Sequence, residues 1–82
     1  MIKVLFFAKL RETLGCAELQ WPLADEASIA GVRQALVEKH PEWEAALCAP
    51  NVLTALNQEV VSVDAKVNAG DELAFYPPVT GG

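Results

Sequence analysis

Apolar runs near both ends of the chain, each with few polar positions, predict β-strands. Residues 2–7 (IKVLFF) are rich in β-branched and aromatic types, which favour a strand. Residues 72–76 (ELAFY) have the same character and predict the last strand, which Pro77 and Pro78 end. Alternation gives each strand two faces: Ile2, Val4, Phe6, Leu73 and Phe75 belong to one set, and Lys3, Leu5, Phe7, Ala74 and Tyr76 to the other.

The segment between residues 8 and 21 predicts a short helix followed by a second strand. In AKLRETLG (8–15), Leu10 and Leu14 share a helical face, and Gly15 stands where a helix commonly ends. AELQW (17–21) then returns to a strand-like composition.

A longer helix is predicted from Ser28, which can cap its first turn, to His40. Its apolar positions recur at helical spacing: Ile29, Val32, Leu36 and Val37. Pro41 stops this helix and can open another, because proline is tolerated at a first helical position. Residues 41–48 (PEWEAALC) therefore predict a short helix with Trp43 and Leu47 on one side.

Two further strands and two turns fill the second half of the chain. Residues 52–57 (VLTALN) and 60–63 (VVSV) flank Gln58-Glu59, which predicts a tight hairpin there. Residues 68–72 (NAGDE) predict another turn, in which Gly70 can adopt a positive φ.

This order of elements predicts an α+β fold with a mixed sheet of about five strands, the long helix on one face and short additional helices. The domain would occupy residues 1–76, and residues 77–82 would form an extended tail. By strand parity, an apolar set lies on the face opposite the helix: Leu5, Phe7, Val60 and Tyr76. Short helices or loops are one way to cover this face; a partner-binding surface is the reading that the composition favours.

Composition and charge limit the classes of partner that this chain can bind. The 82 residues allow one domain, and 52% of them are hydrophobic, a high fraction for so small a core. The formal charge is −5 and the six basic residues are scattered, which argues against nucleic acid and against an acidic membrane surface. The chain shows no apolar run of membrane-spanning length, and its two cysteines have no close spacing, so a reduced, cytoplasmic setting is expected.

The side chains offer little for catalysis, so the chain is not expected to be an enzyme by itself. His40 and Cys48 match no nucleophile–base motif, and the two cysteines with one histidine make no metal-ligand grouping, so no metal is expected. Paired carboxylates occur only in predicted turns or helix starts, where they commonly solvate the turn or complement the helix dipole: Asp25-Glu26, Glu42 with Glu44, and Asp71-Glu72.

The last residues offer a different chemistry, carried by the main chain. Pro77 and Pro78 favour an extended start, and six residues at about 3.1–3.3 Å each reach on the order of 20 Å. Gly81 and Gly82 carry no side chains, so a narrow tunnel can accept them. The ionised α-carboxylate of Gly82 can attack the α-phosphate of ATP inside a suitable enzyme. The resulting acyl-adenylate would accept sulfur, an amine or a thiol.

These residues also carry a family resemblance. GDELAFYPPVTGG (70–82) resembles the C-terminal signature of molybdopterin synthase small subunits, sulfur carriers of the ubiquitin-like β-grasp fold. IKVLFFAKLRETLG (2–15) is similar to the first strand and short helix of that family, and LNQEVVSVDAKVNAGDEL (56–73) to its hairpin and turn. Residues 16–51 carry no motif that is specific to this family.

The resemblance implies a function for the tail. Gly82 would be adenylated by a ubiquitin-activating-like enzyme that uses ATP, and a sulfur donor would convert it to a thiocarboxylate. The tail would insert into the synthase large subunit, in a heterotetramer, and pass sulfur to a cyclic pyranopterin monophosphate during molybdenum cofactor biosynthesis. The inserted residues would be Pro77, Pro78, Val79, Thr80 and Gly81, and no cofactor would be bound by the chain itself.

Three other functions remain open from the sequence. A thiamine-type sulfur carrier shares the fold and the Gly-Gly end, but such carriers resemble shorter chains without the FAKLRE helix and the Pro-Pro pair. A ubiquitin-like modifier would use the same activation and join Gly82 to lysines. A non-catalytic interaction domain would keep its function when Gly82 is removed.

Overall fold

The computed structural model describes residues 1–23, 28–49 and 52–77, and every structural statement below concerns those ranges. Five strands and three α-helices, with one 3₁₀ turn, follow the predicted order. Their bounds are β1 Ile2–Phe6, α1 Ala8–Leu14, β2 Glu18–Trp21, α2 Ile29–Lys39, the 3₁₀ turn Pro41–Trp43, α3 Glu44–Leu47, β3 Leu53–Leu56, β4 Glu59–Val61 and β5 Glu72–Tyr76.

The five strands form one mixed sheet in the order β2-β1-β5-β3-β4. β1 runs parallel to β5, whereas the pairs β1–β2, β3–β4 and β3–β5 are antiparallel. β5 is therefore central, and the chain leaves the middle of the sheet when this strand ends at Tyr76. The predicted α+β class and mixed sheet are confirmed.

Helix α2 packs on one face of the sheet, as its periodicity predicted. Ser28 caps it, because the Ser28 hydroxyl accepts a hydrogen bond of 3.2 Å from the backbone N–H of Gly31. Its buried side chains share one core with those of the two central strands: Ile29, Val32, Leu36 and Val37 from α2, with Ile2, Val4, Phe6, Leu73 and Phe75 from the sheet. The parity predicted for β1 and β5 is thereby confirmed.

The segment after Pro41 is divided where the sequence predicted one short helix. Residues Pro41–Trp43 form a 3₁₀ turn that leads into the single turn of α3. Tight i→i+3 turns are frequent at helix N-termini, and Pro41 supplies the fixed φ of the first position. Trp43 and Leu47 are both buried, as predicted, and the Trp43 ring meets Phe6 edge-on at a centroid distance of 5.4 Å.

The hairpin between β3 and β4 turns one residue earlier than predicted. Asn57 and Gln58 occupy its two central positions with φ values of 52° and 71°, and Glu59 already pairs with Leu56 as the first residue of β4. Two-residue hairpins favour turns with positive φ at both central residues, because these match the twist of the strands. Asparagine tolerates that conformation better than glutamate does, which explains the shift. Gly70 has a φ of 89°, as predicted.

Candidate partner-binding site

The sheet face opposite α2 presents a row of apolar side chains across four strands. The register places Leu5 of β1 beside Ala74 of β5, Ala74 beside Ala55 of β3, and Ala55 beside Val60 of β4. The two alanines at the centre of the row are buried, Ala55 being 1% and Ala74 4% exposed, so the accessible part of the row consists of the larger side chains on either side of them. We refer to this surface, with the aromatic pair described next, as the outer face.

An aromatic pair stands at the end of the outer face where β5 finishes. The rings of Phe7 and Tyr76 stack with centroids 4.8 Å apart and planes 9° from parallel. The Phe7 backbone N–H donates to the carbonyl of Phe75 at 3.2 Å, which holds Phe7 against β5 although it lies just beyond β1. Leu53 pairs with Tyr76 in the β3–β5 register and extends this apolar end.

The outer face remains accessible to a partner. Val60 is 66% exposed, Leu53 40% and Phe7 38%, and Leu5 and Tyr76 are half-buried. The structure therefore brings the four predicted interface residues onto one surface and adds Leu53, which the sequence analysis missed. Pairing β3 against β5 would have revealed Leu53, since it lies opposite Tyr76. That these residues bind a partner stays a prediction.

The predicted tail begins beside this surface. Pro77 is half-buried and directly follows Tyr76. Pro78, Val79, Thr80, Gly81 and Gly82 lie outside the described residues.

A groove of about 330 Å³ lies between α1 and α3 and reaches Pro77. Its lining residues are Lys9, Leu10 and Thr13 from α1, Ala45 and Ala46 from α3, and Ala49 and Pro77. Sequence patterns did not indicate this site, because its walls come from three separate parts of the chain. We refer to it as the α1–α3 groove.

The structure locates His40, Cys16 and Cys48, the side chains considered above for catalysis or metal binding. The His40 ring stacks on Trp43 with centroids 4.0 Å apart, and its Nδ1 lies 3.6 Å from a Glu42 carboxylate oxygen. Cys48 is an exposed free thiol, and the Cys16 thiol donates to the carbonyl of Glu18 at 3.5 Å. The His40 ring is thus held by aromatic stacking and an adjacent carboxylate.

Some of the carboxylates predicted to stabilise turns lie within the described residues. Asp71 stabilises its turn, because its carboxylate accepts hydrogen bonds from the backbone N–H of Asn68 at 2.8 Å and from the side chain of Asn57 at 3.2 Å. Asp25 and Glu26 lie outside the described residues. Within the described ranges, no group of three or more His, Cys, Asp or Glu side chains is placed to hold a metal ion. Nor is any helix in this part of the chain long and apolar enough to cross a membrane.

Comparison with known proteins gives a consistent set of similarities. Residues 4–82 match the model of the ThiS family. The chain is 44% identical over 82 residues to the molybdopterin synthase sulfur carrier subunit of Escherichia coli, and 43% identical over 83 residues to that of Haemophilus influenzae, with 100% of both chains covered in each case. Among solved structures, SAMP1 from Haloferax volcanii matches with a TM-score of 0.82 and 29% identity, over 99% of this chain and 98% of that one.

Proposed function

The chain belongs to the ThiS family and has the ubiquitin-like β-grasp fold, and on that premise we propose that it is the sulfur carrier subunit of a molybdopterin synthase. The observation that carries this proposal is the full-length identity of 43–44% to two bacterial sulfur carrier subunits. Those alignments span both chains from end to end, so they include the residues predicted to carry the chemistry.

In this proposal the reactive group is the α-carboxylate of Gly82. An activating enzyme binds the tail and ATP, and a carboxylate oxygen attacks the α-phosphate, which releases pyrophosphate and leaves an acyl-adenylate. Sulfur supplied by a donor at the oxidation level of sulfide then attacks the acyl carbon and displaces AMP, giving a C-terminal thiocarboxylate. Both steps need an accessible carboxyl carbon, and Gly81 and Gly82 present no side chain that would block it.

The thiocarboxylate then delivers its sulfur within the synthase. Its sulfur attacks an oxygen-bearing carbon of the cyclic pyranopterin monophosphate, and the new C–S bond replaces the C–O bond there, the oxygen leaving with the phosphate or as water. Hydrolysis of the acyl–sulfur bond then leaves sulfur on the pterin and restores the Gly82 carboxylate. A dithiolene contains two sulfurs, so two charged carriers are used for each precursor. ATP is consumed by the activating enzyme, and the carrier itself needs no bound cofactor.

The folded body supplies recognition in this proposal. The outer face would dock on the large subunit of a heterotetramer, while the tail from Pro77 onward reaches on the order of 20 Å into the active site. Stacked aromatic rings and exposed aliphatic side chains are typical of the buried centre of a protein interface. The site of action is expected to be the cytoplasm, where both cysteines remain reduced.

The mass of the intact protein tests this function directly. After incubation with the activating enzyme, ATP and a sulfur donor, the chain should gain the mass difference between one sulfur and one oxygen. The gain should disappear when ATP is omitted or when Gly82 is deleted, while the deletion variant keeps the thermal unfolding of the wild type. A wild-type chain that gains no sulfur under conditions that charge the Escherichia coli relative would refute the proposal.

A second candidate function is that of a protein modifier, which the similarity to small archaeal modifier protein 1 of Haloferax volcanii favours. The same acyl-adenylate would then be attacked by a lysine amine, and the chain would become attached through Gly82. Mass spectrometry of tryptic digests distinguishes the two functions. Lysines that carry the C-terminal residues of this chain would indicate a modifier, whereas a free thiocarboxylate without such conjugates would indicate the carrier.

A further inference from the structure

The α1–α3 groove combines an apolar floor with one cation. Leu10, Ala46 and Pro77 provide apolar surface, and Lys9 and Thr13 add an ammonium and a hydroxyl at the exposed side. None of the described lining residues carries a carboxylate. The described lining therefore carries one cation on otherwise mostly apolar surface, and it would suit an apolar side chain with a carboxylate next to it.

The groove is continuous with the outer face and with the start of the tail. Phe7 directly precedes α1, and Lys9 follows two residues later. Tyr76, which stacks on Phe7, directly precedes Pro77, and Pro77 forms part of the groove. A partner that covers the aromatic pair and encloses the chain after Pro77 therefore also meets the groove.

The outer face alone is small for a stable subunit interface. Its exposed large side chains, Phe7, Leu53 and Val60, present on the order of 250 Å² when their exposed fractions are applied to side chains of ordinary size. A standard protein–protein interface buries about 800 Å² on each partner. The inserted tail would supply part of the difference, and the groove is adjoining apolar surface that would extend the contact made by the folded body.

We propose that the α1–α3 groove is a second part of the interface with the synthase large subunit, which inserts an apolar side chain there and places a carboxylate against Lys9. This inference rests on the proposed function for the identity of the partner. The outer face anchors the two subunits, and the groove fixes the direction in which the tail leaves Pro77.

Two substitutions in the full-length chain test the groove, each with a matched control. Lys9→Glu reverses the charge at the rim, and Lys66→Glu makes the same change at an exposed site on the strand-like segment that bridges to Ser28. Ala45→Phe fills the groove from an exposed position on α3, and Ala69→Phe adds the same ring in the turn at the opposite end of β5. Thermal unfolding verifies that all four variants fold.

The dissociation constant for the purified large subunit is the measurement, by calorimetry at low and high ionic strength. We expect Lys9→Glu and Ala45→Phe to weaken binding roughly tenfold or more, and the two controls to change it less than about threefold. The effect of Lys9→Glu should shrink at high salt, because screening weakens exposed charge pairs.

Three outcomes would overturn the inference. Equal loss for Lys9→Glu and Lys66→Glu would show that only net charge matters. Unchanged large-subunit binding with altered thiocarboxylate formation would indicate that the chain's own tail occupies the groove. A wild-type dimer in sedimentation that the two groove variants abolish would indicate a second copy. In each case normal sulfur transfer by the wild type would leave the proposed function intact, so failure of the two proposals is distinguishable.

Discussion

Asn57 shows how one residue connects two distant turns. Its side-chain oxygen accepts from the backbone N–H of Glu72 at 3.0 Å, and its amide donates to the Asp71 carboxylate at 3.2 Å. Its own backbone N–H donates to the carbonyl of Glu72 at 2.8 Å. The hairpin between β3 and β4 is thereby fastened to the turn that begins β5, the strand from which the tail departs.

Glycine substitutions at the two central residues of this hairpin should have opposite effects. Asn57→Gly removes two side-chain hydrogen bonds and is expected to lower the free energy of unfolding by about 1–2 kcal/mol. Gln58→Gly removes a Cβ from a residue with a φ of 71°, and should leave that free energy unchanged or raise it by up to about 1 kcal/mol. Urea denaturation measures both. An equal loss at the two positions would mean that the turn conformation, rather than the Asn57 side chain, provides the stability.

At the scale of elements, the sequence predicted whatever depends on local chemistry. Helix α2 followed from the spacing of its apolar residues and from the Ser28 cap, and β5 from its composition and the proline after it. The hairpin turns one residue earlier than predicted for a local reason, the tolerance of Asn57 for a positive φ, and for a long-range one, the hydrogen bonds of its side chain to groups 14 and 15 residues away in sequence. Leu53 and the α1–α3 groove were missed because both depend on which elements become neighbours.

The outer face gives a prediction at this scale that separates binding from folding. Phe7 occupies the N-cap position of α1 without a capping hydrogen bond from its side chain. Phe7→Asp would bring a preferred capping residue to that position while placing a charge on the proposed interface. We expect α1 to be retained and the affinity for the large subunit to fall at least about tenfold, because burying an unpaired charge is costly.

Gln34→Asp is the matched control for Phe7→Asp, since it adds the same charge at an exposed position of α2, in the layer opposite the outer face. It should bind like the wild type. Adenylation of the Phe7→Asp variant should remain possible, and mass spectrometry of the product reports it. Wild-type affinity for a folded Phe7→Asp variant would remove the outer face from the interface.

In the whole molecule, the residues that stabilise the fold and the residues proposed to carry the chemistry lie in different parts of the chain. The core within the described ranges ends at Phe75, which is fully buried and stacks on Phe6 with centroids 5.8 Å apart. The groups proposed for sulfur transfer all follow Pro77. A chain of this length is expected to have a free energy of unfolding of only about 4–12 kcal/mol. A reactive end that lies outside the core does not reduce this small free energy.

Two truncations test that separation. Deleting residues 78–82 should change the free energy of unfolding by less than about 0.5 kcal/mol and abolish sulfur transfer completely. Deleting residues 75–82 also removes the buried Phe75 ring and half of the Phe7–Tyr76 stack, and should cost at least about 3–5 kcal/mol, most of the stability available. Urea denaturation followed by tryptophan fluorescence distinguishes the two, because Trp43 lies in the core beside Phe6. A loss above about 2 kcal/mol from the shorter deletion would mean that the tail packs on the body, contrary to its proposed role as a free arm.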